Sequence, residues 1–221
     1  MKRVRVDVLP HDGPLDAGVS HHLLNVMRAR PGALLLLFDG SGHEQPAELV
    51  RSEGSLAIAR ATGPVRTVEA LGSVDLVVAV LKHQAMDLAL RMATEAGVRN
   101  VYPVLTARTV AKGERIDRWE RITSSAAAQC GRADEPAIHP ITDVRAAIEA
   151  LDIPVYAALP GGTPATRSAS ACAVCVGPEG GFTPAEVAWL SERCTPIGLG
   201  PHILRAETAC VVAVALLQPA P

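Results

Sequence analysis

After residue 72 the sequence alternates short, almost continuously apolar runs with stretches of helical periodicity, and few folds accommodate that alternation. Val74 to Leu81, Val101 to Leu105, Ile153 to Leu159 and Ala171 to Val176 read as buried strands. Between them, Gln84 to Ala96 carries Met86, Ala89, Leu90 and Ala93 at helical spacing, and Gly97 closes it. Asp117 to Cys130 sets Trp119, Ile122 and Ala126 on one side and ends at Gly131. Thr142 or Asp143 caps a short helix with Val144, Ala147, Ile148 and Leu151 at i, i+3, i+4 and i+7. Another helix opens at Pro184. The last, Ala206 to Leu217, is apolar nearly all round, which suits a core or a subunit interface. Strands alternating with helices imply an α/β fold with a parallel sheet covered on both faces.

Residues 1–70 follow a different pattern. Val4 to Leu9, Leu34 to Phe38, Ala47 to Val50 and Leu56 to Ala59 are short apolar runs broken by Gly and Pro. Ser20 is a candidate N-cap for a helix over His21 to Arg30, stopped by Pro31-Gly32. This is the pattern of a small β-barrel with one or two helices. The stretch from Thr62-Gly63-Pro64 to Leu71-Gly72 reads as a hinge.

No apolar stretch of the 221 residues reaches the length of a membrane span, and the N-terminus has no signal-like apolar region. Five unclustered cysteines suit a reducing cytosol. Cys172-Ala173-Val174-Cys175 imitates a metal half-site. On a strand, however, positions i and i+3 face opposite ways and no second pair exists, so no metal is expected. The net charge of −2 argues against nucleic acid, but its distribution does not. Residues 82–132 hold nine basic and five acidic side chains, enough for a locally positive face; Glu114 to Arg121 reads more simply as a solvated helix face.

The C-terminal fifth holds two glycine-marked turns: Gly177-Pro178-Glu179-Gly180-Gly181-Phe182-Thr183-Pro184, and Gly198-Leu199-Gly200-Pro201-His202-Ile203-Leu204-Arg205-Ala206-Glu207-Thr208. Thr183 suits an N-cap, Pro184 the first helical position, and Glu186 completes a capping box. A strand, a glycine turn and a helix N-terminus in succession can aim backbone N–H groups at a ligand. Neither common phosphate motif fits. Phe182 stands where a P-loop needs its second glycine, no lysine follows, and Glu179 occupies the second glycine of Gly-x-Gly-x-x-Gly. On the residues alone, a well-capped βα-turn and a ligand loop both remain open.

The first turn, with the block from Leu199 to Ala209 after it, resembles the ribosomal small-subunit methyltransferase E family, bacterial rRNA uridine-N3 methyltransferases of the SPOUT class. Ser20 to Leu23, Arg28 to Gly32, Phe38 to Gly42, Leu81-Lys82, Ala93 to Val98, Thr106 to Arg108 and Ala128 to Arg132 extend the resemblance over nearly the whole chain. It implies a PUA-like RNA-binding β-barrel over 1–70 and a SPOUT methyltransferase domain with a trefoil knot over 71–221. It also implies S-adenosylmethionine as cofactor, small-subunit rRNA or the assembled small subunit as partner, a cytoplasmic homodimer, and no membrane. Met92 stands where the family usually carries lysine, and His202 replaces an arginine.

The resemblance also assigns residues. Adenosine should lie among the loop after Leu159, the loop of Gly177 to Gly181, and the loop of Gly198 to Leu204. Gly177, Gly181, Gly198 and Gly200 would offer backbone contacts; Ile197, Leu199, Ile203 and Leu204 apolar walls. Glu179 would anchor loop N–H groups. Arg28, Arg30, Arg108, Arg132 and His202 would contact RNA. An imide nitrogen such as uridine N3 attacks once its proton has left, and its charge spreads onto O2 and O4. Arg205 is the candidate to grip those oxygens or the adjacent phosphate, and Glu207 to take the proton or orient Arg205. Two alternatives stand beside this reading: a non-catalytic RNA-binding ribosome-assembly factor of the same fold, and a SPOUT methyltransferase acting on another base or a ribose.

Overall fold

The computed structural model of the chain describes residues 1–68, 72–110 and 115–219. It divides into two compact units, Met1–Ala70 with Ser124–Glu135, and Leu71–Thr123 with Pro136–Pro221. The expected boundary between residues 70 and 71, the end of the expected hinge, Lys112 and Glu114 lie outside the described residues.

The first unit is built on strands β1 (Lys2–Arg5), β2 (Gly13–Pro14), β3 (Leu34–Phe38), β4 (His43–Glu53), β5 (Leu56–Ala61) and β6 (Arg66–Thr67). Their order is β1-β3-β4-β5-β2, with β6 beside the start of β4; only β1 and β3 run parallel. Val4, Leu35, Leu37, Ala47, Leu49, Ala57 and Ala59 pack together inside, with Leu15 and Leu23 from around the helix. Part of the expected hinge is therefore strand: β6 pairs with His43 and Glu44. The turn Asp39–Gly42 is tied to the segment 132–135, where Gly42 N–H donates to Ala133 O and Glu135 N–H to Gly40 O.

The helix of this unit begins earlier than the sequence suggests. Helix α1 spans Ala17–His21 and runs on as a π-helical turn, His22–Val26. Ser20 is not its cap. It is fully buried, its hydroxyl donating to Leu15 O at 2.9 Å and accepting Ala57 N–H at 3.0 Å. A buried strand N–H without a partner is costly, so the serine is of more use there than at a helix end.

The second unit contains β7 (Val74–Ala79), α2 (His83–Glu95), β8 (Val98–Leu105), the start of α3 (Ile116–Cys130), β9 (Ala137–Ile138), β10 (Thr142–Asp143), α4 (Val144–Glu149), β11 (Val155–Pro164), β12 (Cys172–Val176), α5 (Pro184–Arg193), β13 (Thr195–Gly198) and α6 (Ala206–Leu217). Every recorded pairing in its sheet is parallel, in the order β10-β8-β7-β12-β11-β13, with β9 against β8. Strand alternation divides the core. Val74, Leu76, Val78, Cys172, Val174 and Val176 face α2 and α6, whereas Val77, Ala173 and Cys175 face α4 and α5. Cys172 and Cys175 thus lie on opposite faces.

Two features were not anticipated. β11 runs past Leu159 to Pro164, and Thr195–Gly198 is a strand paired with it. The two backbones approach so closely around Gly162 that a Cβ there would stand 2.5–2.8 Å from the Ile197 backbone. At the N-terminal ends of the strands, Asp75 is buried. It accepts two bonds from Arg99 and one from Asn100, all at 2.8 Å.

Candidate active site

In an open parallel sheet, ligands sit beyond the carboxyl ends of the strands, where the order reverses. Here the C-terminal ends of β12 and β13, the middle of β11 and the segment that follows β7 open into a cleft of ≈ 1190 Å³. The two glycine turns and the first turn of α2 form its walls.

The first turn leaves β12 at Val176. Gly177 suits the position, because a Cβ there would meet the Phe182 ring at 3.0–3.2 Å and the ring would have to shift by a few tenths of an ångström. Gly181 takes φ +68°, a left-handed conformation that glycine adopts without strain. The capping box then starts α5 as its residues imply. Thr183 Oγ1 accepts Glu186 N–H at 3.3 Å, and Glu186 Oε2 accepts Thr183 N–H at 2.7 Å. Glu186 reaches further, its Oε1 accepting Ala107 N–H at 2.8 Å. Burial pushes its carboxyl up, but these bonds and nearby Arg108 outweigh burial and hold it below the usual glutamate range.

The second turn leaves β13 at Gly198. A Cβ on Gly198 would stand 2.8 Å from Gly162 O, which explains a glycine at that position. The backbone N–H groups of Gly200, His202, Ile203 and Leu204 have no acceptor among the described residues. Ile203 is 97% exposed, so its side chain is the free tip of this wall.

Leu159, Gly177, Glu179, Gly181, Ile197, Gly198, Leu199, Gly200, Ile203 and Leu204 all line the cleft, as do His202, Arg205 and Glu207. Arg205 occupies the N-cap of α6, exposed, and its guanidinium has no hydrogen-bond or ion-pair partner among the described residues. Glu207 lies in the first turn of α6, half-buried; it makes no ion pair with Arg205 or with any other described residue. A carboxylate there is favoured by the helix dipole. Lys82, His83, Gln84 and Leu88 also line the cleft but were not singled out. The signal for them was the helix start itself, which opens directly after the apolar run of β7.

The other arginines separate. Arg28 and Arg30 are exposed on the first unit, their guanidinium groups without partners among the described residues, and Arg28 has φ +51°. Arg132 differs. Its guanidinium holds Asp134 at 2.6 and 3.3 Å and is 13% exposed, so it serves the fold of that unit. Arg108 lies outside the cleft and donates to Gly180 O at 2.8 Å and Phe182 O at 3.3 Å. Glu179 Oε1 accepts Lys82 N–H at 3.0 Å.

The RNA methyltransferase domain model matches residues 69–218, and the RNA methyltransferase PUA domain model matches residues 15–60. A ribosomal RNA small subunit methyltransferase E of Mycobacterium bovis is 31% identical, covering 95% of this chain and 88% of its own length. The chain belongs to the ribosomal RNA small subunit methyltransferase E family. A crystal structure of a family member from Neisseria gonorrhoeae, bound to S-adenosylmethionine, superposes with a TM-score of 0.88 at 29% identity, covering 97% of this chain and 95% of that one. A methyltransferase of Legionella pneumophila with the same cofactor gives 0.87 at 25% identity, covering 98% and 96%. Family membership accounts for a glycine-lined cleft that matches neither phosphate motif. Among the described residues no cluster of His, Cys, Asp or Glu suits a metal, and no helix is long and apolar enough to cross a membrane.

Proposed function

We propose that this protein transfers a methyl group from S-adenosylmethionine to N3 of a uridine in small-subunit rRNA. The observation that carries the reading is the cleft itself. Glycine turns with unpaired N–H groups and apolar walls meet an uncommitted guanidinium, Arg205, and an unpaired carboxylate, Glu207. The residues fit the cofactor. Close approach is open at Gly177, Gly181, Gly198 and Gly200, and Leu159, Ile197, Leu199, Ile203 and Leu204 offer apolar surface to an adenosine. When bound, S-adenosylmethionine supplies the electrophilic methyl group.

This chain's residues supply the rest. Arg205 binds the uracil oxygens that gain charge as N3 loses its proton, or the neighbouring phosphate. Glu207, with no partner of its own, accepts the proton. Arg28 and Arg30 hold RNA phosphates from the first unit; few aromatic residues are present to stack bases, so binding should weaken steeply with salt.

The protein acts as a homodimer in the cytoplasm. In support of the dimer, α6 leaves Ala215 and Leu216 exposed and Val211 and Val212 half-exposed on an apolar helix. In support of a knotted path, the segment after β11 is fastened to the end of α6: Ser168 N–H donates to Leu217 O, and Arg167 Nη1 to Pro219 O, both at 3.0 Å.

The test is to incubate small-subunit rRNA and assembled subunits from a strain lacking this protein with isotope-labelled S-adenosylmethionine. Mass spectrometry of the nucleosides then locates the label. N3-methyluridine is the expected product, and Arg205→Ala should lower its rate by about 10²–10³ while cofactor affinity holds. Label on another base or a ribose would overturn the uridine assignment. RNA binding without label would favour an assembly factor.

A further inference from the structure

Within this reading, the first glycine turn has to be held still, because a glycine-rich loop loses more entropy on ordering than any other. The turn and the start of α5 after it carry four polar fastenings, and they come from two directions. On one side Glu179 Oε1 accepts Lys82 N–H at 3.0 Å, tying the turn to the start of α2. On the other, Arg108 Nη1 donates to Gly180 O at 2.8 Å and Phe182 O at 3.3 Å, and Glu186 Oε1 accepts Ala107 N–H at 2.8 Å. The aliphatic part of Arg108 lies over Gly180, with Cβ and Cδ 3.6 Å from where a Gly180 Cβ would stand.

Arg108 and Glu186 therefore make a reciprocal pair between the loop after β8 and the turn after β12. Each charged side chain bonds backbone of the opposite loop. Gly181, on the cleft wall, lies inside the stretch so held, and Gly177 lies between its first fastening and the end of β12. A guanidinium suits this task, since the two hydrogens of one terminal nitrogen can serve carbonyls two residues apart.

We propose that Arg108, with Glu186 as its counterpart, positions the Gly177–Thr183 turn for the cofactor and is not a contact to RNA. This rests on the methyltransferase reading, because the held turn has a purpose only if S-adenosylmethionine lies against it. The clasp acts through backbone carbonyls and an N–H, so its loss should appear in cofactor affinity and leave RNA recognition alone.

The experiment measures three quantities on the full-length protein: the Kd for S-adenosylmethionine by calorimetry, KM for small-subunit rRNA at saturating cofactor, and the salt dependence of RNA binding. Arg108→Ala should weaken cofactor binding about tenfold, the equivalent of about 1.4 kcal/mol and of the size of one charge-assisted hydrogen bond. KM for RNA should stay within about twofold and the salt slope should not change. Arg108→Lys, which keeps one donor in reach, should recover part of the affinity. If Arg108→Ala does not fold, Glu186→Gln tests the same clasp and should also weaken the cofactor. An unchanged cofactor Kd with a raised RNA KM and a shallower salt slope would overturn the proposal in favour of an RNA contact. Wild-type protein that binds no S-adenosylmethionine would overturn the reading beneath it, a result that no Arg108 variant can imitate.

Discussion

Gly162→Ala should break the wall of the cleft. The new Cβ would stand 2.5, 2.7 and 2.8 Å from the C, N and Cα atoms of Ile197. Non-bonded carbons prefer about 3.5–4.0 Å, so β11 and β13 must separate by about 1 Å. The obstacle is backbone on both sides, and no side chain can rotate away. Two bonds then stretch: Ala165 N–H to Gly198 O at 3.1 Å, and Thr163 Oγ1 to Pro196 O at 3.2 Å. Each is worth about 0.5–1.5 kcal/mol net, and overpacking adds about 1–3 kcal/mol. The sum is about 2–6 kcal/mol.

For a unit of this size, about 2–4 °C of melting temperature goes with each kcal/mol, so a fall of about 4–24 °C is expected by calorimetry. Gly161→Ala is the control. Gly161 has open space around its Cβ position and only a left-handed φ of +79°, which costs an alanine about 1–2 kcal/mol. S-adenosylmethionine should stabilise the Gly161 variant and barely affect the Gly162 variant, since Ile197 and Gly198 belong to the displaced strand. A Gly162→Ala protein that melts within 1–2 °C of wild type, with the cofactor shift intact, would refute the steric argument.

Asp75→Ala removes a buried carboxylate that holds Arg99 and Asn100; with Arg99 partly exposed and able to rehydrate, a loss of about 2–4 kcal/mol in urea unfolding is expected. Thiol titration of the native protein near pH 8 should find Cys130 reactive. Burial keeps Cys172, Cys175 and Cys210 protonated and inaccessible and pushes Cys194 up to about 11, so the rest should react only after unfolding. Burial raises the Asp39 carboxyl, but bonds from Ser41 and His43 outweigh it and hold the group well below the usual aspartate range. A carboxyl lowered on folding adds stability above its unfolded value and loses it as pH falls below about 4. Asp39→Asn should therefore flatten the acid limb of the stability profile.

Where local rules decide, residues and structure agree. Period-two alternation in Val74 to Val78 and Cys172 to Val176 sorts side chains onto the two faces of the sheet, and Thr183 with Glu186 starts α5. β13 escapes such rules. Its four residues, Thr-Pro-Ile-Gly, carry a proline and a glycine, and only the neighbouring β11 makes them a strand. Ser20 is similar: its position before His21 suits a cap, but its partner, Ala57 N–H, lies 37 residues away.

Charge is the least legible quantity, because a guanidinium is committed by what surrounds it rather than by its neighbours in sequence. Arg28, Arg30, Arg108 and Arg132 carry the same charge in the same resemblance. The fold commits Arg132 to Asp134 and Arg108 to two loop carbonyls, the latter 72 and 74 residues distant. The guanidinium groups of Arg28 and Arg30 remain without partners among the described residues. Those two, together with Arg205 at the mouth of the cleft, are therefore arginines whose whole guanidinium is open to a phosphate. If so, combining Arg28→Ala with Arg30→Ala should reduce the salt slope of RNA binding by about two, whereas Arg108→Ala should not change it.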